Sequence, residues 1–126
     1  MIISVDFDGT CVKHEFPAIG PVLPGAISTM KELVRAGHKI ILNTCREDDR
    51  RLIYKRYLTN AIEWFKKNNI PLHNVNENCR EDDSFRDGCD QRRKIYAGCY
   101  IDDRNLGGFC GWKAVAEHFH LPYKEE

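Results

Sequence analysis

The sequence predicts an α/β fold on a mostly parallel central sheet, and three features of the chain point that way. Short apolar runs at Met1–Val5, Lys39–Leu42 and Ala97–Ile101 alternate with stretches of helical periodicity. These runs are continuously apolar, as strands buried on both faces are, and do not alternate as a half-wet strand does. Each stops abruptly on polar residues: Asp6-Phe7-Asp8-Gly9-Thr10, Asn43-Thr44-Cys45-Arg46 and Asp102-Asp103-Arg104. At 126 residues the chain fits one domain with its own core.

The elements follow in order. After Met1–Val5, residues Ala26 to Ala36 place Ile27, Met30, Leu33 and Val34 at helical spacing, between a Pro24-Gly25 start and the terminator Gly37. Lys39–Leu42 is the second strand. A long helix is expected from Glu47 to Asn68, with Leu52, Ile53, Tyr57, Ile62, Trp64 and Phe65 among its apolar positions and Asn68-Asn69-Ile70-Pro71 closing it. Leu72–Val75 reads as a short third strand. Residues 76–93 mix Asp and Glu with Arg and form a variable charged loop. Ala97–Ile101 is the fourth strand, and Trp112–Phe119, after Gly107-Gly108, is the last helix.

Charge and composition narrow the function classes. Nineteen basic and nineteen acidic side chains cancel, so the overall field draws the chain neither to nucleic acid nor to an anionic membrane. Hydrophobic residues at 42% and aromatics at 10% exclude a disordered chain. No apolar run reaches the length of a membrane span, and Met1–Val5, cut by Asp6, is too short for a signal sequence. A cytoplasmic location is expected. The six cysteines, Cys11, Cys45, Cys79, Cys89, Cys99 and Cys110, contain no CxxC pair. They read as reduced, structurally incidental thiols, with a zinc or redox site on the Cys79–Cys110 ladder as the alternative.

In parallel sheets the ligand site lies beyond the carboxyl ends of the strands. Asp6, Asp8, Thr44, Asp102 and Asp103 therefore converge on one edge. Carboxylates gathered so closely repel one another unless a cation neutralises them or some bind protons. Mg²⁺ fits such an oxygen-rich site, because it uses a few carboxylates together with substrate phosphate. Thr44 offers a hydroxyl and Lys94 a positive charge to phosphate oxygens. Arg46 and Asn105 sit beside these segments and read as structural.

The run Asp6-Phe7-Asp8-Gly9-Thr10 resembles the first signature of the haloacid dehalogenase (HAD) superfamily of phosphohydrolases. Thr44 resembles the second signature, Lys94 the third and Asp102-Asp103 the fourth, in order along the chain. The resemblance implies a Rossmann-like three-layer sandwich and a Mg²⁺-dependent phosphatase. It implies that Asp6 is the nucleophile that becomes an aspartyl-phosphate and that Asp8 is the general acid and base. It also implies that Asp6, Asp8 (through its carbonyl) and Asp102 hold the metal, with Asp103 assisting from behind them or through water, while Thr44 and Lys94 bind phosphate.

Family members with a cap domain insert it after the first signature or between the second and third. Here the first gap, residues 11–23, is only flap-sized, and residues 76–93 make a loop, so the sequence resembles the capless subgroup. An open site of that kind takes a small or macromolecular phosphorylated substrate, or is closed by another copy of the chain. His14, Phe16 and Pro17 on the flap either contact substrate or anchor the flap. The competing readings are a receiver-like domain phosphorylated by a partner, a phosphoryl transferase, and an idle module that keeps the fold. The receiver reading is disfavoured because the third strand ends in Asn74-Val75-Asn76 with no acceptor aspartate.

Overall fold

A computed structural model describes residues 1–78 and 93–125. Four parallel strands form the sheet: β1 (Ile2–Val5), β2 (Lys39–Leu42), β3 (Asn74–Val75) and β4 (Cys99–Ile101), in the order β3-β2-β1-β4. Ile3 pairs with both Ile40 and Cys99, and Val5 with both Leu42 and Ile101. The strands thus end level, and the polar residues after β1, β2 and β4 emerge on one edge. Chain order reverses on either side of β1, which places a crevice between the ends of β1 and β4.

Three helices complete the fold: α1 (Ala26–Arg35), α2 (Tyr57–Lys67) and α3 (Trp112–His118). Ile3, Val5, Ile40 and Leu42 share one sheet face and join Met30 and Leu33 of α1, Phe65 of α2 and Trp112 of α3 in the main core. Ile2 and Ile41 face the other way, and Ile95 and Ala97 of the chain leading into β4 cover them. Among the described residues that second face is covered by this irregular segment and not by a helix. The architecture is the expected Rossmann-like α/β sandwich, and all the described strands are parallel.

The helix ends follow the sequence closely. Gly37, at φ 96°, closes α1: its amide bonds the Val34 carbonyl and the His38 amide bonds that of Leu33. Asn69 performs the same turn for α2, at φ 57°, with Ile70 N–H donating to the Phe65 carbonyl.

One expectation fails. The helix expected over Glu47–Asn68 begins only at Tyr57, and residues 47–56 form a turn closed by an antiparallel bridge between Asp48 and Arg56. Aspartate side chains compete here for the backbone amides a helix would use. Asp49 Oδ1 accepts from Arg51 N, while the Asp48 carboxylate accepts from Thr59 N and the Thr59 hydroxyl, capping α2 from outside it. Ile53 and Tyr54, counted as apolar positions of that helix, are 84% and 75% exposed. The charged loop expected at 76–93 falls mostly outside the described residues, as do Cys79 and Cys89.

Candidate active site

A cavity of about 450 Å³ opens at the carboxyl edge of the sheet, lined by Asp6, Asp8, Asn43, Thr44, Arg46, Asp102, Asp103 and Arg104. His14 and Phe16 of the flap and Cys45 also line it. The segment after β1 winds about one carbonyl: Thr10, Cys11 and Val12 all direct their amides to Phe7 O, at 3.2, 2.9 and 3.4 Å. Phe7 itself is fully buried against Trp64 and Phe65 of α2, so this loop is anchored in the core and Asp6 and Asp8 flank the anchor.

Asp6, Asp102 and Asp103 each offer a carboxylate oxygen within 4.8 Å of the others. Burial raises the Asp6 carboxyl from its ordinary 3.8 to about 7; a hydrogen bond with the Asp103 side chain and the charge of Asp102 add to this. The Thr10 hydroxyl donates to Asp6 Oδ2 at 3.1 Å, and the Thr10 carbonyl accepts from Trp112 Nε1 at 2.7 Å, which ties the loop to α3. Asp102 Oδ1 accepts from Arg104 N at 2.9 Å, fixing the turn after β4. A cluster this crowded with acid oxygens is chemically suited to a cation.

Thr44 lines the same cavity. Its amide donates to Asn76 Oδ1 at 2.8 Å, and its hydroxyl oxygen accepts from Arg46 N at 3.1 Å, which leaves the hydroxyl proton for a ligand. Cys11 is buried beneath the loop, donating to Asp6 O at 3.3 Å; burial and the charges of Asp6 and Asp8 push its thiol well above the ordinary range. It is an inert core thiol. Cys45, Cys99 and Cys110 are also free, and the metal-ligating group found among the described residues contains no cysteine.

Two residues differ from their sequence reading. Lys94 does not line the cavity: it is exposed, with Nζ 5.1 Å from the centre of the Tyr100 ring. Asn78 clamps the segment that carries it, accepting from Tyr96 N at 2.6 Å and donating to Lys94 O at 3.4 Å. Arg46, read as structural, is buried in the site. Its Nε and Nη2 donate to the two carboxylate oxygens of Asp8 at 2.7 and 2.8 Å. A basic residue two positions after the second strand's Asn43-Thr44 was the signal available in sequence. Arg104 is the second cation on the cavity wall, whereas Asn105 lies in a separate hollow beneath α3.

Fold and site together define a Rossmann-like α/β protein with an acidic, cation-suited cleft at the switch point of its sheet. A solved structure of a conserved protein from Bacteroides thetaiotaomicron is 36% identical and superposes with a TM-score of 0.79, over 95% of this chain and 89% of that one. The chain belongs to the same family as that Bacteroides protein. No protein-family model and no curated protein matches it.

Proposed function

We propose that this protein is a capless HAD-type phosphatase that hydrolyses a phosphomonoester with Mg²⁺. The observation that carries the reading is the meeting of Asp6, Asp102 and Asp103 within 4.8 Å, with Asp8 and Thr44 lining the same cavity. The raised Asp6 carboxyl fits a divalent ion, whose arrival would offset the repulsion that burial and the neighbouring acids impose. Asp6, Asp102 and Asp103 would hold Mg²⁺, joined in the family resemblance by the Asp8 carbonyl. Bound there, the ion supplies positive charge to the phosphoryl oxygens.

This chain's own groups supply the rest. An Asp6 carboxylate oxygen attacks phosphorus, and the bond from phosphorus to the leaving oxygen breaks as Asp8 gives that oxygen a proton. Water then attacks the aspartyl-phosphate, Asp8 takes the water's proton, and the bond between phosphorus and Asp6 breaks to release inorganic phosphate. The Thr44 hydroxyl and the Arg104 guanidinium orient the phosphoryl group from the cavity wall. His14 and Phe16 of the flap line the cavity with the acids, and without a cap domain the substrate is a small or macromolecular phosphomonoester.

No helix among the described residues is long and apolar enough to cross a membrane. The free thiols fit a reducing cytoplasm. The test is Mg²⁺-dependent phosphate release from an aryl phosphate and from a library of phosphorylated metabolites. Turnover that vanishes in Asp6→Asn supports the reading, and turnover that survives it removes Asp6 as nucleophile. A long-lived phosphoprotein without turnover would instead favour the receiver-like alternative.

A further inference from the structure

We infer that Arg46 is the positioning residue for Asp8, and that it couples the orientation of the Asp8 carboxylate to the seating of the flap. This deepens the phosphatase reading and rests on it. The Arg46 side chain is 1% exposed, and its partners fall into two groups. Nε and Nη2 grip the two oxygens of Asp8. Nη1 donates to Pro17 O at 3.3 Å and to Tyr57 O at 3.2 Å, and Nη2 donates to Ala18 O at 3.0 Å. The guanidinium carbon also lies over two rings, 5.1 Å from the centres of both Phe7 and Phe16.

A planar fork bonded on both sides fixes the plane of the carboxylate it holds. Each carboxylate oxygen has a second lone pair. Bidentate pairing therefore aligns Asp8 without consuming its capacity to give and take a proton at the substrate. The flap carbonyls of Pro17 and Ala18 share that fork, so a flap that lifts withdraws partners from Arg46 and loosens Asp8. Lysine has no fork: it keeps the charge but cannot hold both oxygens and both flap carbonyls in one plane.

The test uses leaving-group dependence. An aryl ester such as p-nitrophenyl phosphate departs without a proton, whereas an alkyl ester such as glycerol 2-phosphate needs one from Asp8. Asp8→Asn is expected to lower kcat/KM for the alkyl ester by about 10²–10⁴-fold, and that for the aryl ester far less. Arg46→Lys is expected to lower the alkyl ester's value by about 10–100-fold and the aryl ester's by under about 3-fold. The double variant should lose no more than Asp8→Asn alone, because both changes remove one function. The ratio of the two esters is independent of how much variant is folded. Equal loss on both esters, or a double variant whose losses multiply, overturns the inference.

Were the wild type inactive on both esters, as it would be if the phosphatase reading fell or the site took only a larger substrate, amide exchange would decide the coupling. Lys13 N–H bonds Pro21 O and Leu23 N–H bonds Cys11 O, at 2.8 and 3.0 Å, so both report on the flap. Faster exchange at both in Arg46→Lys and in Asp8→Asn supports the coupling; unchanged exchange overturns it.

Discussion

The Asp103 carboxylate occupies the space a side chain at position 9 would need: a Cβ built on Gly9 stands 2.1 Å from Asp103 Oδ2. Gly9 also has φ +86°, a conformation L side chains rarely adopt. The glycine of the Asp6–Thr10 segment therefore serves the acid cluster at the end of β4 as well as its own turn. Gly9→Ala should lose about 1–3 kcal/mol of stability and, by displacing Asp103, weaken divalent-ion affinity by about 10–100-fold. Urea denaturation and calorimetric Mg²⁺ titration measure the two effects; wild-type values in both would show that Asp103 moves aside freely.

The raised Asp6 carboxyl makes stability depend on pH in a defined direction. The folded chain holds this proton up to about pH 7, whereas the unfolded chain releases it near 3.8. The stabilisation is full below about 3.8 and is lost as pH rises through about 7. His38, lowered by burial and by the N-terminal ammonium, acts in the opposite sense, so the contrast with Asp6→Asn isolates the effect. Without metal, wild type should lose more melting temperature between pH 5 and pH 8 than Asp6→Asn does, and Mg²⁺ should restore wild type at pH 8. Parallel melting curves against pH would refute this.

Asp6→Asn should also trade activity for stability. Phosphate release falls to background, because the amide is no nucleophile. At pH 8 without metal, the variant should melt about 3–6 °C above wild type, roughly 1 kcal/mol after allowing for screening at a site open to water. Calorimetry on the metal-free proteins checks the sign.

Trp112 of α3 holds the loop that carries Thr10. Its indole donates to Thr10 O while the Thr10 hydroxyl donates to Asp6 Oδ2, so α3 reaches Asp6 through two hydrogen bonds. Trp112→Phe leaves the Thr10 carbonyl without this donor and should cost about 1–3 kcal/mol, with a smaller loss of kcat. A denaturant midpoint equal to that of wild type would mean another donor replaces the indole.

The cations separate by position. Arg104 lines the cavity and Lys94 does not. Arg104→Ala should raise KM for a phosphomonoester by about fivefold, near 1 kcal/mol, and weaken product inhibition by inorganic phosphate. Lys94→Ala should change both by less than about twofold. The reverse order in steady-state kinetics would return Lys94 to the site.

Much of the site was legible in the chain because it depends on strand ends. Strands that run parallel and end level place Asp6, Thr44 and Asp102 on one edge whatever the packing beneath them. Helix terminators were equally legible, since Gly37 and Asn69 act through their own backbone conformation. The turn at 47–56 was not, because its periodicity imitates a helix while Asp48 and Asp49 spend their oxygens on backbone amides.

The sequence by itself determined the sheet and the edge on which the acids meet, both consequences of local pattern and chain direction. Only the tertiary structure decided which cation faces which acid. Asp8 and Arg46 are 38 residues apart, and the long guanidinium stem could have turned to solvent. It turns inward because Phe7, Phe16 and the flap carbonyls together build a slot that no single segment contains. Lys94, next to the strand that carries two of the acids, had no such slot and lies on Tyr100.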